Sequence, residues 1–294
     1  DPMRSILTAA LAATVFLGRA FGAPTTFSGA PGGAFTLTGP GDVQWSVQNN
    51  GGTDDGTPTG TCTSAANSGL TIADARFSPA AVDAFDNGLT VWIDDQIFVS
   101  PDTVDLTDQT LTSGPVTMSG VEVTVEYRAM QDTPTLRTRV ILHNPSSTVQ
   151  TVDFRMVTPY GSDATYVQIA EASNASDGYW RISADDPTTP TDAVNTSVWT
   201  GADNPHDAYY SPMLSLGSDE SASQCTTTAG ITNARTGLVV PPGRTVELLF
   251  FDQVHGTIAA AQSDVTVFAN TPVRGDALVA GMDEDALVAV GNWT

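Results

Sequence analysis

The sequence predicts an all-β protein: a large antiparallel two-layer β-sandwich with a short helical C-terminal tail. Apolar and polar residues alternate with a period of two along most of the chain, and turns rich in Gly, Pro, Asp and Thr separate the alternating runs. Helical spacing of apolar residues occurs only near the C-terminus. A period of two buries one face of each strand, and many such strands need a second layer to cover them. The uneven loop lengths favour a sandwich over a barrel.

The clearest strands lie in the middle of the chain. The run VEVTVEYR at 121–128 alternates valine and tyrosine with charged residues and threonine. The runs at 136–143 and 151–157 follow after short turns that contain proline. This spacing predicts an antiparallel meander of three strands.

Three further segments complete the predicted sandwich. The run at 42–48 alternates like a strand, and the run at 89–100 predicts a hairpin that turns near Asp94 and Asp95. The segment at 237–251 predicts two strands around a Pro-Pro-Gly turn.

The tail follows the sandwich. Asp276 and Asp283 are placed as helix N-caps before short apolar runs, with acidic residues in the first turn. We therefore expect one sandwich domain at residues 24–270 and a helical tail at 271–294.

The first 23 residues have the composition of a secretory signal peptide. Arg4 precedes the apolar run at 6–18, and small residues follow at Ala20-Phe21-Gly22. Asp1-Pro2 before Met3 are expected to be vector or gene-start residues. The apolar run is too short to span a bilayer, which takes about 20 residues. We therefore expect a secreted or cell-surface protein with no integral membrane segment in the mature chain.

The charge is strongly acidic. The chain has 33 acidic and 11 basic residues, and all of the basic residues are arginine. Such a surface repels phosphate backbones, so no nucleic acid partner is expected. It suits a soluble exported protein, a salty medium or divalent cations.

The two cysteines, Cys62 and Cys225, are predicted to form a disulfide. An even pair in an exported chain favours a bond over two free thiols. No histidine lies close to either cysteine in the sequence, which argues against a zinc site.

Several longer phrases resemble known proteins. LRTRVILHNPSSTVQTVDFRMVTPYGSD, DGYWRISADDPTTP and VPPGRTVELLFFDQVHGTIAAA resemble an uncharacterised kind of bacterial exported domain, found in larger surface proteins beside Ig-like or calcium-binding repeats. That resemblance covers residues 120–293 and implies a surface location and calcium. The phrase NPSSTVQTVDF also resembles galactose-mutarotase-like super-sandwiches, which implies carbohydrate. Neither resemblance assigns a catalytic residue.

Two aspartate-rich loops are the candidate calcium ligands. One contains Asp54 and Asp55, and the other contains Asp185, Asp186 and Asp192. Calcium binds six to eight oxygens, which such loops supply, although neither loop has the EF-hand spacing. The alternative is solvated acids in turns, where aspartate bonds its own backbone.

The stretch DNPHDAYYSP supplies the main candidate catalytic cluster: His206 as base or ligand, Asp207 to orient it, and Tyr209 as proton donor or stacking platform. The alternative is a polar loop that leads into a strand. Arg181 is a further candidate that could neutralise a carboxylate, and His255 is another possible base.

Arg181 lies in the phrase SDGYWRI, whose Tyr179 and Trp180 could stack on a sugar ring. Strand alternation places Tyr179 and Arg181 on one face and Trp180 on the other. Because large aromatics bury strongly, Trp180 is expected to lie in the core.

Motifs of common enzyme classes are not found. The sequence has no Gly-x-Ser-x-Gly elbow, no His-Glu-x-x-His, no phosphate loop and no Rossmann glycine set. The first hypothesis is therefore a secreted, non-catalytic module, structural or adhesive, that binds glycan and is stabilised by calcium. The alternative is a secreted enzyme acting on an extracellular polysaccharide or another polymer, either a polysaccharide lyase or a glycoside hydrolase. A second alternative is a self-assembling surface-layer or filament subunit.

Overall fold

The computed structural model describes residues 24–27, 34–49, 69–77, 83–85, 87–94, 96–161, 167–174, 178–200, 210–214, 230–269 and 276–293. Within these ranges the chain forms three β-sheets, and neighbouring strands in every sheet run antiparallel. This arrangement confirms the predicted all-β sandwich with a short helical tail. No helix in the described ranges is long and apolar enough to cross a membrane.

The largest sheet has nine strands. In spatial order they are β1 (Pro24–Thr26), β7 (Thr103–Thr107), β8 (Thr110–Met118), β9 (Val121–Ala129), β10 (Thr135–His143), β17 (Thr245–His255), β14 (Val194–Thr200), β13 (Gly178–Ala184) and β12 (Val167–Asn174).

Two smaller sheets complete the strands. The five-stranded sheet has the order β15 (Tyr210–Leu214), β16 (Gly230–Val240), β11 (Gln150–Pro159), β5 (Thr90–Ile93) and β6 (Gln96–Ile97). The three-stranded sheet has the order β2 (Ala34–Thr38), β3 (Gln44–Asn49) and β4 (Leu70–Arg76).

The main core lies between the nine-stranded sheet and the two smaller sheets. Leu248 of the large sheet, Phe154 of the five-stranded sheet and Trp45 of the three-stranded sheet belong to one buried cluster. The rings of Phe154 and Phe250 stack across the layers with centroids 5.6 Å apart. Burying one such side chain contributes about 1.5–3 kcal/mol. We call the face of the large sheet that points into this core the inner face.

The opposite, outer face of the large sheet carries a second apolar core. Phe251 of β17 packs against Phe268 and Trp293, with ring centroids 5.2 and 5.3 Å apart. The covering segments are the helices α1 (Ile258–Asp264) and α2 (Glu284–Ala289) and the 3-10 turns Val265–Ala269 and Ala277–Val279; a further 3-10 turn, Pro40–Asp42, precedes β3. The central strands of the large sheet are therefore buried on both faces.

A buried ionic cluster lies on the outer face beneath the tail. Arg137 Nη2 lies 2.7 Å from Glu126 Oε1, and Arg139 Nε lies 2.5 Å from Glu247 Oε2. Arg137 also donates to the carbonyl of Ala280 at 2.9 Å, which ties the tail to β10. Burial raises the pKa of Glu126, but Arg137 and Arg139 outweigh this and hold it below its ordinary value.

Three local predictions about the strands differ in outcome. The hairpin at Asp94 is confirmed, since β5 pairs with β6. The predicted three-stranded meander is wrong at its third strand: β9 pairs with β10, but β11 lies in the five-stranded sheet. The two strands predicted around the Pro-Pro-Gly turn are confirmed as β16 and β17, which lie in different sheets. The β10–β11 and β16–β17 connections both cross from one layer to the other. The strands that they join bury an apolar face in the same core.

The predicted helix caps in the tail differ in outcome. The Asp283 side chain accepts a hydrogen bond from the backbone N–H of Ala286 at 2.9 Å and caps α2 as predicted. Asp276 precedes the turn Ala277–Val279 but does not cap it through its side chain. The helix α1 was not predicted; Thr257 caps it by accepting from Ala260 N.

Candidate functional site

A row of polar side chains crosses four strands on the inner face of the large sheet. Glu171 of β12 pairs with Arg181 of β13, Arg181 pairs with Ser197 of β14, and Ser197 pairs with Asp252 of β17. Directly opposite residues in antiparallel strands place their side chains on the same face. These four residues therefore form one continuous line, which we call the polar row.

A second set of polar residues lies beside this row on the same face. We call the polar row and this second set together the polar face. Ser183 and Asn195 are opposite each other on β13 and β14 and are buried. The Nδ2 of Asn195 donates to the carbonyl of Ala84 at 2.8 Å. The backbone N–H of Gly161 donates to the same carbonyl at 3.1 Å. These two bonds hold the segment 83–85 against this part of the inner face.

Gly161 permits this close approach. A Cβ at position 161 would lie 2.2 Å from the carbonyl oxygen of Asp83. Any larger residue would therefore displace the segment 83–85 from the polar face.

A chain of hydrogen bonds lies at the Asp252 end of the polar row. Ser197 Oγ donates to Asp252 Oδ1 at 2.6 Å, and the Tyr160 hydroxyl lies 2.9 Å from the same Oγ. Burial raises the pKa of Asp252 to about 7, although the hydrogen bond from Ser197 lowers it in part. Burial, together with the nearby Asp252, also raises the pKa of Tyr127, whose hydroxyl donates to Leu89.

The other end of the polar row, next to the edge strand β12, is built around Arg181. Its Nη2 donates to Glu171 Oε2 at 2.7 Å, and its side chain is 10% exposed against 41% for Glu171. Among the described residues, Arg181 Nε and Nη1, Ser183 Oγ and Asn195 Oδ1 are buried without a hydrogen-bond partner. An unsatisfied buried polar group costs about 1–3 kcal/mol, and more when it is charged. Water or a polar ligand at these atoms would remove that cost.

The aromatic neighbours of Arg181 follow the predicted alternation. Tyr179 is partly buried and packs against the main core, on the same face as Arg181. It lies two residues along the strand, roughly 6–7 Å away. Trp180 packs against the outer-face cluster but is only partly buried, so it borders that core rather than filling it.

His255 does not join the polar row. It lies on the outer face of β17, where Nδ1 is 3.8 Å from Asp264 Oδ2 of α1. Its Nε2 is 3.5 Å from Gln253 Oε1. Burial lowers the pKa of His255, with a smaller opposing effect from Asp264, so the neutral imidazole is favoured. Arg181 and His255 therefore face opposite sides of the sheet and do not act together.

The loop after β13 holds its aspartates in local hydrogen bonds. Asp186 Oδ1 accepts from the backbone N–H and the hydroxyl of Thr188, both at 2.7 Å, and these bonds lower its pKa to about 2. Asp185 accepts from the hydroxyl of Thr191 at 2.6 Å. Within the ranges that the structure describes, no group of three or more His, Cys, Asp or Glu side chains is placed to hold a metal ion. Asp192, the third acid predicted here as a calcium ligand, also has an interaction partner.

Several predicted site residues lie outside the described residues. They are the catalytic candidates His206, Asp207 and Tyr209, the calcium candidates Asp54 and Asp55, and the cysteines Cys62 and Cys225.

The sequence reasoning missed most of the polar face. It singled out Arg181 but not Ser183, Asn195, Ser197 or Asp252. A signal was present for Asp252, since this acid directly follows the apolar run LLFF within a strand. The other three lie in strands that read as ordinary alternation, and their common face depends on how distant strands pair.

A groove lies at another place on the molecule, between the β16–β17 turn and α2. Its volume is about 890 Å³, and its lining includes Arg235, Arg244 and Asp285. Val239 and Val288 border it and are exposed. Arg235 Nη1 donates to the carbonyl of Gly291 at 3.3 Å. The groove therefore combines both signs of charge with apolar surface.

No protein-family model matches the sequence, and no curated protein matches it. Several solved structures are similar to parts of this chain. A polysaccharide lyase is similar over 67% of this chain and 32% of its own, at 11% identity and a TM-score of 0.41. A protein assigned as an aldose 1-epimerase from Klebsiella pneumoniae is similar over 86% of this chain and 91% of its own, at 10% identity and a TM-score of 0.41.

A galactose mutarotase related enzyme from Lactobacillus acidophilus is similar over 76% of this chain and 97% of its own, at 9% identity and a TM-score of 0.33. An aldose 1-epimerase and a galactose mutarotase related enzyme are thus among the structural neighbours. The chain spans about a third of the length of the polysaccharide lyase. All three TM-scores are below 0.5, so no activity or ligand follows from these similarities.

Proposed function

We propose that this protein is an extracellular β-sandwich module that binds carbohydrate at the polar face of β12–β14 and does not cleave it. The observation that carries the proposal is that Arg181, beside Glu171 of the edge strand β12, which is 41% exposed, keeps Nε and Nη1 without partners among the described residues. Ser183 Oγ and Asn195 Oδ1 are also without partners among the described residues. Sugars present hydroxyl groups that both donate and accept hydrogen bonds. A few convergent polar groups beside an aromatic side chain are typical of small-molecule sites.

The non-catalytic part of the proposal rests on the position of the carboxyl groups. A glycosidase needs two carboxyl groups on either side of the scissile bond. Asp252 is fully buried behind Ser197, and Glu171 is paired with Arg181. Neither carboxyl group is free to face the other across a bound sugar.

The extracellular location rests on the predicted signal at residues 1–23 and on the acidic composition. Calcium held by an aspartate loop belongs to the same proposal as a stabilising ion. The Asp186 loop makes its own hydrogen bonds, so the proposal does not depend on that loop for ligand binding.

The second candidate function is a secreted enzyme acting on a polymer. It is favoured by one observation, the pKa of about 7 for Asp252, which suits a group that exchanges protons at neutral pH. In that case a proton would have to pass through the hydroxyls of Ser197 and Tyr160, since Asp252 does not reach the surface.

A binding screen with two matched variants tests the proposal. Ser183→Ala removes one buried hydroxyl from the inner face, and Thr196→Val removes one from the outer face of the neighbouring strand. Both hydroxyls lack partners within the described ranges. We expect wild-type protein to bind oligosaccharides from a panel of neutral and acidic plant and algal glycans. Ser183→Ala should weaken binding several-fold, and Thr196→Val should leave it unchanged.

The same incubations are assayed for new reducing ends and for unsaturated sugar products. Product formation that is lost in Asp252→Asn would establish the enzyme and remove the non-catalytic proposal. If nothing in the panel binds, or if both hydroxyl variants bind like wild type, carbohydrate binding at this face is wrong.

A further inference from the structure

We propose that the carbohydrate bound at this face is acidic, and that its carboxylate binds the guanidinium of Arg181. This inference rests on the proposed function and names the class of ligand. A sugar whose ring carries a carboxylate, such as a uronate, is the chemistry that Arg181 selects.

Arg181 is a buried arginine whose guanidinium is only partly paired. The residue is 8% exposed, and only its Nη2 has a partner among the described residues. A guanidinium has N–H donors on all three nitrogens and stays charged at any ordinary pH. A neutral hydroxyl can accept from Nε or Nη1, but it leaves the buried charge uncompensated. A carboxylate supplies both the acceptors and the opposite charge.

The existing partner of Arg181 compensates the charge only in part. The Glu171 side chain is 41% exposed, so water screens its attraction to the guanidinium. Asp252 lies further along the row, but its pKa of about 7 leaves it partly protonated at neutral pH. The positive charge of Arg181 is therefore compensated only in part by the described residues. Charge-assisted hydrogen bonds of this kind are about twice as strong as neutral ones.

The surroundings of Arg181 fit a sugar ring better than a free carboxylate. Tyr179 lies on the same face one strand repeat away, where its ring can contact the apolar side of a pyranose. Ser183 lies two residues in the other direction along β13, and its buried hydroxyl has no partner among the described residues. A small carboxylic acid would leave both of these residues unused.

The net charge of the chain limits the size of the ligand. The chain carries a formal charge of −22, and this repels a long polyanion. A short acidic oligosaccharide, or the end of a longer chain, is therefore the preferred ligand. Because the Arg181 contact is buried, added salt should weaken the binding only slightly.

Pairs of ligands that differ only in charge test this inference. Trimers of galacturonate, glucuronate and mannuronate are each compared with their methyl esters and with a neutral galactose trimer by isothermal titration calorimetry. The ester keeps the ring and removes the charge. We expect at least one acid to bind about tenfold more tightly than its ester, since removing one charge-assisted bond costs about 1.4 kcal/mol or more.

Three variants test whether Arg181 causes the preference for the acid over its ester. Arg181→Gln should remove the preference for the acid over the ester, and Arg181→Lys should restore it in part. Glu171→Gln removes the competing carboxylate and should strengthen binding of the acid several-fold without strengthening binding of the ester. Glu171 is exposed enough that this variant is expected to fold even if Arg181→Gln does not. Arg76→Gln removes an exposed arginine of the three-stranded sheet and is the matched control.

The outcomes distinguish the acidic ligand from carbohydrate binding in general. If acids and esters bind equally and Glu171→Gln changes neither, the acidic ligand is wrong. Should Ser183→Ala still weaken that binding, the proposed carbohydrate function stands. Absence of binding by every acidic trimer overturns the acidic ligand, whereas the proposed carbohydrate function falls only if the wider glycan panel also fails to bind.

Discussion

Ser197 Oγ donates a 2.6 Å hydrogen bond to Oδ1 of Asp252, inside the core and across the β14–β17 pair. This bond lowers the pKa of Asp252 in part, but burial of the carboxyl group has the larger effect and raises the pKa to about 7. A buried acid with a neutral pKa makes the stability of the fold depend on pH.

The first prediction concerns this pH dependence. The ordinary pKa of an aspartate is 3.8, and it is about 7 in the folded protein. The folded state therefore holds a proton that the unfolded state has lost between these pH values. The stability contributed by protonated Asp252 is complete below the unfolded pKa and is lost as the pH rises through the folded pKa. With about 1.4 kcal/mol per pKa unit, the loss is about 4 kcal/mol at most.

Asp252→Asn removes this titration while keeping a carbonyl oxygen for Ser197. Urea unfolding at about pH 5 and about pH 8 should show a smaller loss of stability in the variant than in wild type. Equal losses in the two proteins would mean that Asp252 is not buried as a neutral-pKa acid.

The second prediction concerns the ionic cluster under the tail. Glu126→Gln leaves the buried Arg137 and Arg139 with one carboxylate fewer, which should lower the free energy of unfolding by about 3–5 kcal/mol. Glu122→Gln is the control, because Glu122 is on the same face of β9 but is partly exposed. Chemical denaturation of the three proteins gives the difference. A cost for Glu126→Gln no larger than that for Glu122→Gln would argue against the buried cluster.

The strands were predictable from sequence because burial of the inner face produces an alternation of apolar and polar residues with a period of two. The same alternation was misleading for the outer face. Glu126, Arg137 and Arg139 read as solvent-facing residues, yet the tail covers them, and nothing in β9 or β10 encodes a cover that comes more than a hundred residues later. The meander prediction was wrong at β11 for a related reason. A strand with one apolar face suits either layer of a sandwich, and the short turn at 144–149 does not decide between them.

The candidate site was less predictable than the fold. Arg181 was recognised by its residue type, but Ser197 and Asp252 join it only through the pairing of β13, β14 and β17. Strand register between distant segments is set by the packing of the whole sheet. His255 shows the converse: its residue type suggested chemistry, and its strand position places it on the outer face against α1.

The third prediction concerns calcium. If an aspartate loop holds a structural ion, chelation should lower the melting temperature by several degrees, since a ligand of the folded state stabilises only that state. Differential scanning fluorimetry with chelator, and again after calcium is restored, gives the result. Comparing Asp185→Asn with Asp54→Asn shows which loop is responsible. Unchanged melting in both conditions removes calcium from the account.

The fourth prediction concerns the cysteines. Cys62 and Cys225 should be bonded in exported protein, and the bond should contribute roughly 5 kcal/mol in the chain-entropy model. Mass spectrometry of peptides prepared without reductant, after blocking of free thiols, detects the linkage. Recovery of both cysteines as blocked thiols would contradict it.

The central claim is that the polar face of β12–β14 binds the sugar. A crystal structure of the protein with the tightest-binding trimer of the uronate panel tests it most directly. A sugar oxygen is expected about 3 Å from a guanidinium nitrogen of Arg181. A sugar bound instead on the outer face, or in the groove beside Val239 and Val288, with the polar face unchanged, would contradict the account.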